Sequence, residues 1–201
     1  MPTATQSPPV SQTVWNVPNQ LTLARLLLSI VLFALLAIPK FSHQYLIGMV
    51  LFLIAAGTDW VDGYWARKYG QVTKLGRVLD PYVDKIIICG AFRILAAIPT
   101  SGIVAWMAVV VVGRELLVTA LRSFLEGEGA DFSAVMSGKL KMVLQCAAVA
   151  VSLFALTYAD AAARPDWLAW GLAICVWSAV ALTVYSGIEY IRRAIALTSG
   201  K

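Results

Sequence analysis

The sequence predicts an all-α, polytopic membrane protein with six transmembrane helices. Three observations predict that class. The 201 residues are 60% hydrophobic and only 13% charged, with a mean hydropathy of +0.77. A soluble domain carries roughly 25% charged residues, so most of this surface is built for lipid. Six apolar stretches lie near 20–38, 45–66, 84–99, 103–125, 135–158 and 167–191. If they alternate across a bilayer, thirteen Lys and Arg fall on one side, and only Lys40, Arg93 and Arg164 on the other. That asymmetry places both termini and the aspartate segment on the cytoplasmic side of the membrane. The net charge of +5 then reads as topology, with no nucleic-acid partner.

Each element has its own justification. Residues 1–19 hold Ser, Thr, Gln and four prolines and no charge, and read as a flexible or interfacial lead-in to a membrane domain over 20–201. They lack the basic start of a signal peptide, and a full-length apolar span follows. Each stretch reaches the roughly 20 residues of a spanning helix once its polar shoulder is included. The third is the shortest, and spans only if its polar start dips into the membrane. Pro18, Pro39, Pro99 and Pro165 mark helix ends or turns. Trp15, Trp106, Trp167 and Trp170 lie near span ends, as an interfacial aromatic belt requires. Cys89, Cys146 and Cys175 sit in apolar runs with no CxxC pair, so they read as small hydrophobes rather than disulfide or zinc ligands. His43, the one histidine, falls in a loop on the side opposite the acids.

The segment DWVDGYWARKYGQVTKLGRVLDPYVDK, from Asp59 to Lys85, sets four aspartates between two apolar runs. Asp59 and Asp62 are three apart and Asp80 and Asp84 four apart, so each pair shares a helix face. The short connection predicts antiparallel neighbours whose carboxylates face each other across one gap. Such a cluster protonates or takes up cations. With no His or Cys nearby, carboxylate oxygens suit a hard ion: Mg²⁺, Mn²⁺ or Ca²⁺. Mg²⁺ commonly shares its shell with substrate phosphates. Gly63, Ala66 and Gly76 leave room beside the acids, and Arg67 can bind a phosphate. The same acids could instead serve an ion-coupled membrane transporter, or act as structural partners of Lys68, Lys74 and Arg77. Their clustering at one membrane face speaks against a transport path.

Read as D-x-x-D-G-x-x-A-R, eight residues, G-x-x-x-D-x-x-x-D, the segment matches at Asp59, Asp62, Gly63, Ala66, Arg67, Gly76, Asp80 and Asp84. This resembles the signature of the CDP-alcohol phosphotransferases. The resemblance implies six transmembrane helices around a cytoplasm-facing polar cavity, commonly in a homodimer among membrane lipids. It implies transfer of a phosphatidyl group from a CDP-linked lipid to an alcohol, with CMP leaving. It makes Asp59, Asp62 and Asp80 ligands of a pair of Mg²⁺ or Mn²⁺ ions. Asp84 becomes the general base, also within reach of a metal, and Gly63, Ala66, Arg67 and Gly76 border the CDP site.

Further stretches narrow the acceptor. NVPNQLTLARLLL at 16–28, VVGRELLVTALRSFLEGEG at 111–129, SGKLKMVLQ at 137–145 and DPYVDK at 80–85 are similar to bacterial members of the family. Those members join CDP-diacylglycerol to sn-glycerol 3-phosphate, giving phosphatidylglycerophosphate and CMP. Met142 departs from the threonine expected there. The residues point the same way: Arg114, Arg122, Lys139 and Lys141 are cations on or beside apolar helices, and would bind the phosphate of an anionic acceptor. Snorkelling to headgroups is the competing reading for these four. On helical spacing, Glu115 and Arg122 face the same neighbour and Arg114 points elsewhere. Inositol phosphate, serine and phosphatidylglycerol stay open as alternative acceptors.

Overall fold

A computed structural model describes residues 17–38, 41–69, 74–127, 136–158 and 161–199; the side chains of 17, 18, 59–69, 74–81, 126, 127, 136, 137, 139, 198 and 199 lie outside that description. Among the described residues there are six α-helices and one 3₁₀ turn, and no strand. They are α1 (Val17–Ala37), α2 (Gln44–Tyr69), α3 (Lys74–Leu95), α4 (Ala105–Gly127), α5 (Met136–Ala155) and α6 (Asp166–Ser199).

The six expected stretches each become a helix, with shifted ends. Helix α1 begins at Val17, so Pro18 occupies its first turn, where a missing N–H costs nothing. Helix α3 begins ten residues before the apolar run, because the polar stretch from Lys74 is already helical. Helix α6 has 34 residues, about 51 Å at 1.5 Å per residue, and outruns the ~30 Å hydrocarbon layer. Among the described residues two segments, Asn19–Ala37 and Asp166–Leu197, are long and apolar enough to cross a membrane, and Gln44–Thr58 and Leu140–Ala155 are shorter apolar segments.

The helices pack in the cyclic order α1–α2–α5–α6–α4–α3, with α3 also meeting α5 across the ring. Among the described residues α2 and α3 touch only lightly, and α1 packs extensively against both. Leu27, Ile30, Val109, Val143 and Ile174 face outward, a surface that water would penalise and lipid would not. Trp106, Trp167 and Trp170 are exposed near helix ends, where the aromatic belt was expected.

The interior changes character along the bundle axis. One end holds an apolar core, with Leu36, Phe92, Leu95, Met107, Leu153, Leu168 and Leu172 packed together. Short polar links close it. Ser152 Oγ donates to the Ser101 carbonyl, Gln44 Nε2 donates to the carbonyls of Leu35 and Ile38 at the end of α1, and Arg164 Nε donates to that of Ala155 at the end of α5. Gly102 turns the chain into α4 at φ 80°, and a Cβ there would meet Leu172 at 2.9 Å. His43 (φ 65°) lies exposed in the α1–α2 loop, with Ser42 Oγ 2.8 Å from its Nδ1. The three cysteines are free and half-buried. Toward the other end the interior turns polar: Arg25, Ser29, Glu115, Lys141, Gln145, Thr183 and Ser186 are all buried.

Candidate active site

Charge enters this polar half from four helices. Arg25 stands eight residues into α1 and Asp84 ten into α3, roughly 12 and 15 Å from the helix starts, so the two meet at similar depth. Arg25 Nη1 donates to Asp84 Oδ1 at 2.5 Å, with the arginine side chain 1% exposed. Ser29, one turn along α1, donates to the Arg25 carbonyl, which keeps its own hydroxyl satisfied within the helix. An arginine this deep is expensive without an anion, and Asp84 supplies one.

Lys85, beside Asp84, turns toward α4. Its Nζ donates to Thr119 Oγ1 at 2.6 Å, and that hydroxyl donates to the Glu115 carbonyl at 2.6 Å. The single hydroxyl hydrogen is therefore used on the carbonyl while its lone pair takes the lysine. Glu115 is the buried acid of the group and pairs with both Lys141 Nζ on α5 and Arg114 Nη1. Arg114 Nε also donates to Ser186 Oγ on α6 at 3.2 Å, and its guanidinium lies 5.3 Å from the Tyr190 ring centre. Arg122 Nη2 donates to Tyr190 Oη at 3.3 Å. Gln145 Nε2 to Thr183 Oγ1, at 2.9 Å, seals the α5–α6 seam beside them.

The structure thus brings Arg114, Arg122 and Lys141 into one region, with a different division of neighbours from the one expected. Glu115 faces Lys141, while Arg114 and Arg122 both turn to Tyr190, so the expectation that Arg114 points elsewhere is corrected. Their long, flexible stems reach around α4 further than a Cβ-based wheel allows. Lys139 lies outside the described side chains, as do Asp59, Asp62, Gly63, Ala66, Arg67, Gly76 and Asp80. The helical backbone runs through these acidic positions, so Asp59 and Asp62, and likewise Asp80 and Asp84, sit about one turn apart. Among the described residues no group of three His, Cys, Asp or Glu gathers. Asp84, half-buried on α3 with carboxylate oxygens only, is a donor of the kind Mg²⁺ or Mn²⁺ takes. Sequence reasoning missed Arg25, counted only as a topological charge, and also Lys85, Thr119 and Tyr190. A charge inside the apolar run LTLARLLL was the available signal for Arg25.

Comparison with known proteins adds a second line. The family profile described as CDP-alcohol phosphatidyltransferase matches residues 15–185. The chain is 36% identical over 200 residues to the CDP-diacylglycerol–glycerol-3-phosphate 3-phosphatidyltransferase of Bacillus subtilis, covering 90% of this chain and 95% of the relative. It is 33% identical over 183 residues to the protein of that name from Pectobacterium atrosepticum, with the same coverage. Against the one from Escherichia coli it is 31% identical over 185 residues, covering 90% and 96%.

Proposed function

This chain belongs to the CDP-alcohol phosphatidyltransferase family, and from that premise we propose that it transfers the phosphatidyl group of CDP-diacylglycerol to sn-glycerol 3-phosphate, forming phosphatidylglycerophosphate and CMP. The named relatives support the donor and acceptor. The observation that carries the choice of an anionic acceptor is a charge imbalance. Among the described residues, Lys85, Arg114, Arg122 and Lys141 gather in the polar half of the bundle with one buried acid, Glu115, which pairs with Arg114 and Lys141. Cations in excess of their anions repel one another in a half-buried site, and a phosphate monoester balances them. A neutral acceptor would leave that excess in place.

In this reading Asp84 accepts the proton of the acceptor hydroxyl as its oxygen attacks the phosphorus nearest the lipid, and CMP departs. Arg25 is permanently charged and pairs with the ionised carboxylate, the form a base requires. Lys85, held toward α4 by Thr119, joins the base-bearing helix to the acceptor cations. Asp59, Asp62, Asp80 and Asp84 would hold two Mg²⁺ or Mn²⁺ ions, whose charge stabilises the pyrophosphate as the bond breaks. Gly63, Ala66, Arg67 and Gly76 would border the cytidine diphosphate. All six helices span the inner membrane of a bacterium around a cavity open to the cytoplasm, with both termini on that side and a homodimer as the assembly. Lys and Arg asymmetry supports this orientation.

An acceptor panel tests the reading. Purified protein with CDP-diacylglycerol and Mg²⁺ is offered glycerol 3-phosphate, inositol phosphate, serine and phosphatidylglycerol in turn, and CMP is measured. Release with glycerol 3-phosphate alone is expected, and release only with another acceptor would refute the assignment. Asp84→Asn should abolish turnover while the protein stays folded, an outcome a transporter or scaffold does not predict.

A further inference from the structure

Neither the acidic signature nor the pattern of basic residues singles out Tyr190, yet two of the acceptor cations converge on it. Its ring centre lies 5.3 Å from the Arg114 guanidinium carbon and 6.0 Å from that of Arg122. Arg122 also donates to its hydroxyl, and Arg114 is fixed a second time by Ser186, one turn away on α6. Tyr190 is buried, at the junction of α4, α5 and α6. Small residues keep that junction tight. A Cβ on Gly187 would stand 3.2 Å from Arg114 Cγ, and one on Gly138 would stand 3.4 Å from Tyr190 Oη.

Two guanidinium groups repel, and one ring drawing both together needs a reason. Arg114 has Glu115 as counter-ion. Arg122 is paired with no carboxylate among the described residues, and its Nε is buried there without a partner. Among the described residues, then, its charge is held in place by Tyr190 with no counter-ion beside it. A half-buried cation kept in one geometry by a phenol is preorganised for an anion that arrives later. The π face attracts each guanidinium, and a tyrosine hydroxyl fixes one in direction.

We infer that Tyr190 is a positioning residue of the acceptor site, holding Arg114 and Arg122 at the spacing that grips the phosphate of glycerol 3-phosphate. The inference rests on the acceptor reading above, and the test separates the two. Full-length protein in lipid nanodiscs is assayed with CDP-diacylglycerol and glycerol 3-phosphate, each varied at saturation of the other. Tyr190→Phe keeps the ring and loses the hydrogen bond, so KM for glycerol 3-phosphate should rise about tenfold. The KM for CDP-diacylglycerol and kcat should stay near wild type. Protection of the protein against thermal unfolding by glycerol 3-phosphate alone should weaken in parallel. Tyr190→Leu, which loses ring and hydroxyl, should raise that KM further, to roughly a hundredfold.

Arg114→Lys and Arg122→Lys are the controls for the acceptor reading. If neither raises KM for glycerol 3-phosphate, that reading fails. If either does while Tyr190→Phe leaves both KM and ligand protection at wild-type values, the positioning role fails. It fails equally if Tyr190→Phe lowers kcat and raises both KM values together, the mark of a merely structural residue. Should Tyr190→Leu not fold, the phenylalanine variant decides.

Discussion

The Arg25–Asp84 pair offers a prediction whose size follows from its burial. Arg25 is 1% exposed and the Asp84 side chain 22% exposed, with 2.5 Å between donor and acceptor. Removing one partner of a buried pair strands the other and costs roughly 3–5 kcal/mol. The partial exposure of Asp84 places Arg25→Met at the low end, about 3 kcal/mol. Asp84→Asn takes this carboxylate from the arginine and should cost roughly 2–3 kcal/mol, leaving the protein folded. In the double variant neither charge remains, so the two losses should not add, and a coupling of about 2 kcal/mol is expected. Unfolding of the four proteins in mixed micelles, followed by helical circular dichroism against denaturant, measures this without using activity. Losses that sum to within about 0.5 kcal/mol would refute the idea that the two charges depend on one another.

Three further outcomes follow. Chelation of divalent ions should abolish CMP release, and Mg²⁺ or Mn²⁺ should restore it; full turnover in excess chelator would remove the carboxylates' role as metal ligands. Gly90→Ala would drive a Cβ into the Phe33 ring, where α3 crosses α1, and should lower stability by about 1–3 kcal/mol. Gly171→Ala, with open space around it, serves as the neutral comparison in the same melting experiment. Glu115→Gln leaves Lys141 and Arg114 without their shared carboxylate and should cost about 3 kcal/mol or more, part of which Lys141→Met recovers.

What the sequence revealed, and what it hid, divides along physical lines. Hydropathy located all six helices because lipid demands long apolar runs, but it measures lipid contact and not helicity. It therefore started α3 too late, at residue 84 rather than Lys74, and ended α6 too early, at 191 rather than Ser199. The four aspartates stood out because their spacing is local. Arg25 with Asp84 and Lys85 with Thr119 are separated by 59 and 34 residues, and only the packing of α1 and α4 against α3 joins them. Tyr190 stayed hidden for another reason: a tyrosine in an apolar helix reads as core or interface until two arginines are seen to meet it. Charge-bearing positions inside spans were the recoverable signal, and Arg25 was its clearest instance.

Glycerol and glycerol 3-phosphate differ by one phosphate, the group that the proposed acceptor site binds. Protein in nanodiscs with CDP-diacylglycerol and Mg²⁺ is given each alcohol separately, and the lipid product is identified by mass spectrometry. Phosphatidylglycerophosphate from glycerol 3-phosphate, with no phosphatidylglycerol from equimolar glycerol, is the predicted result. Comparable yields from the two alcohols would contradict it.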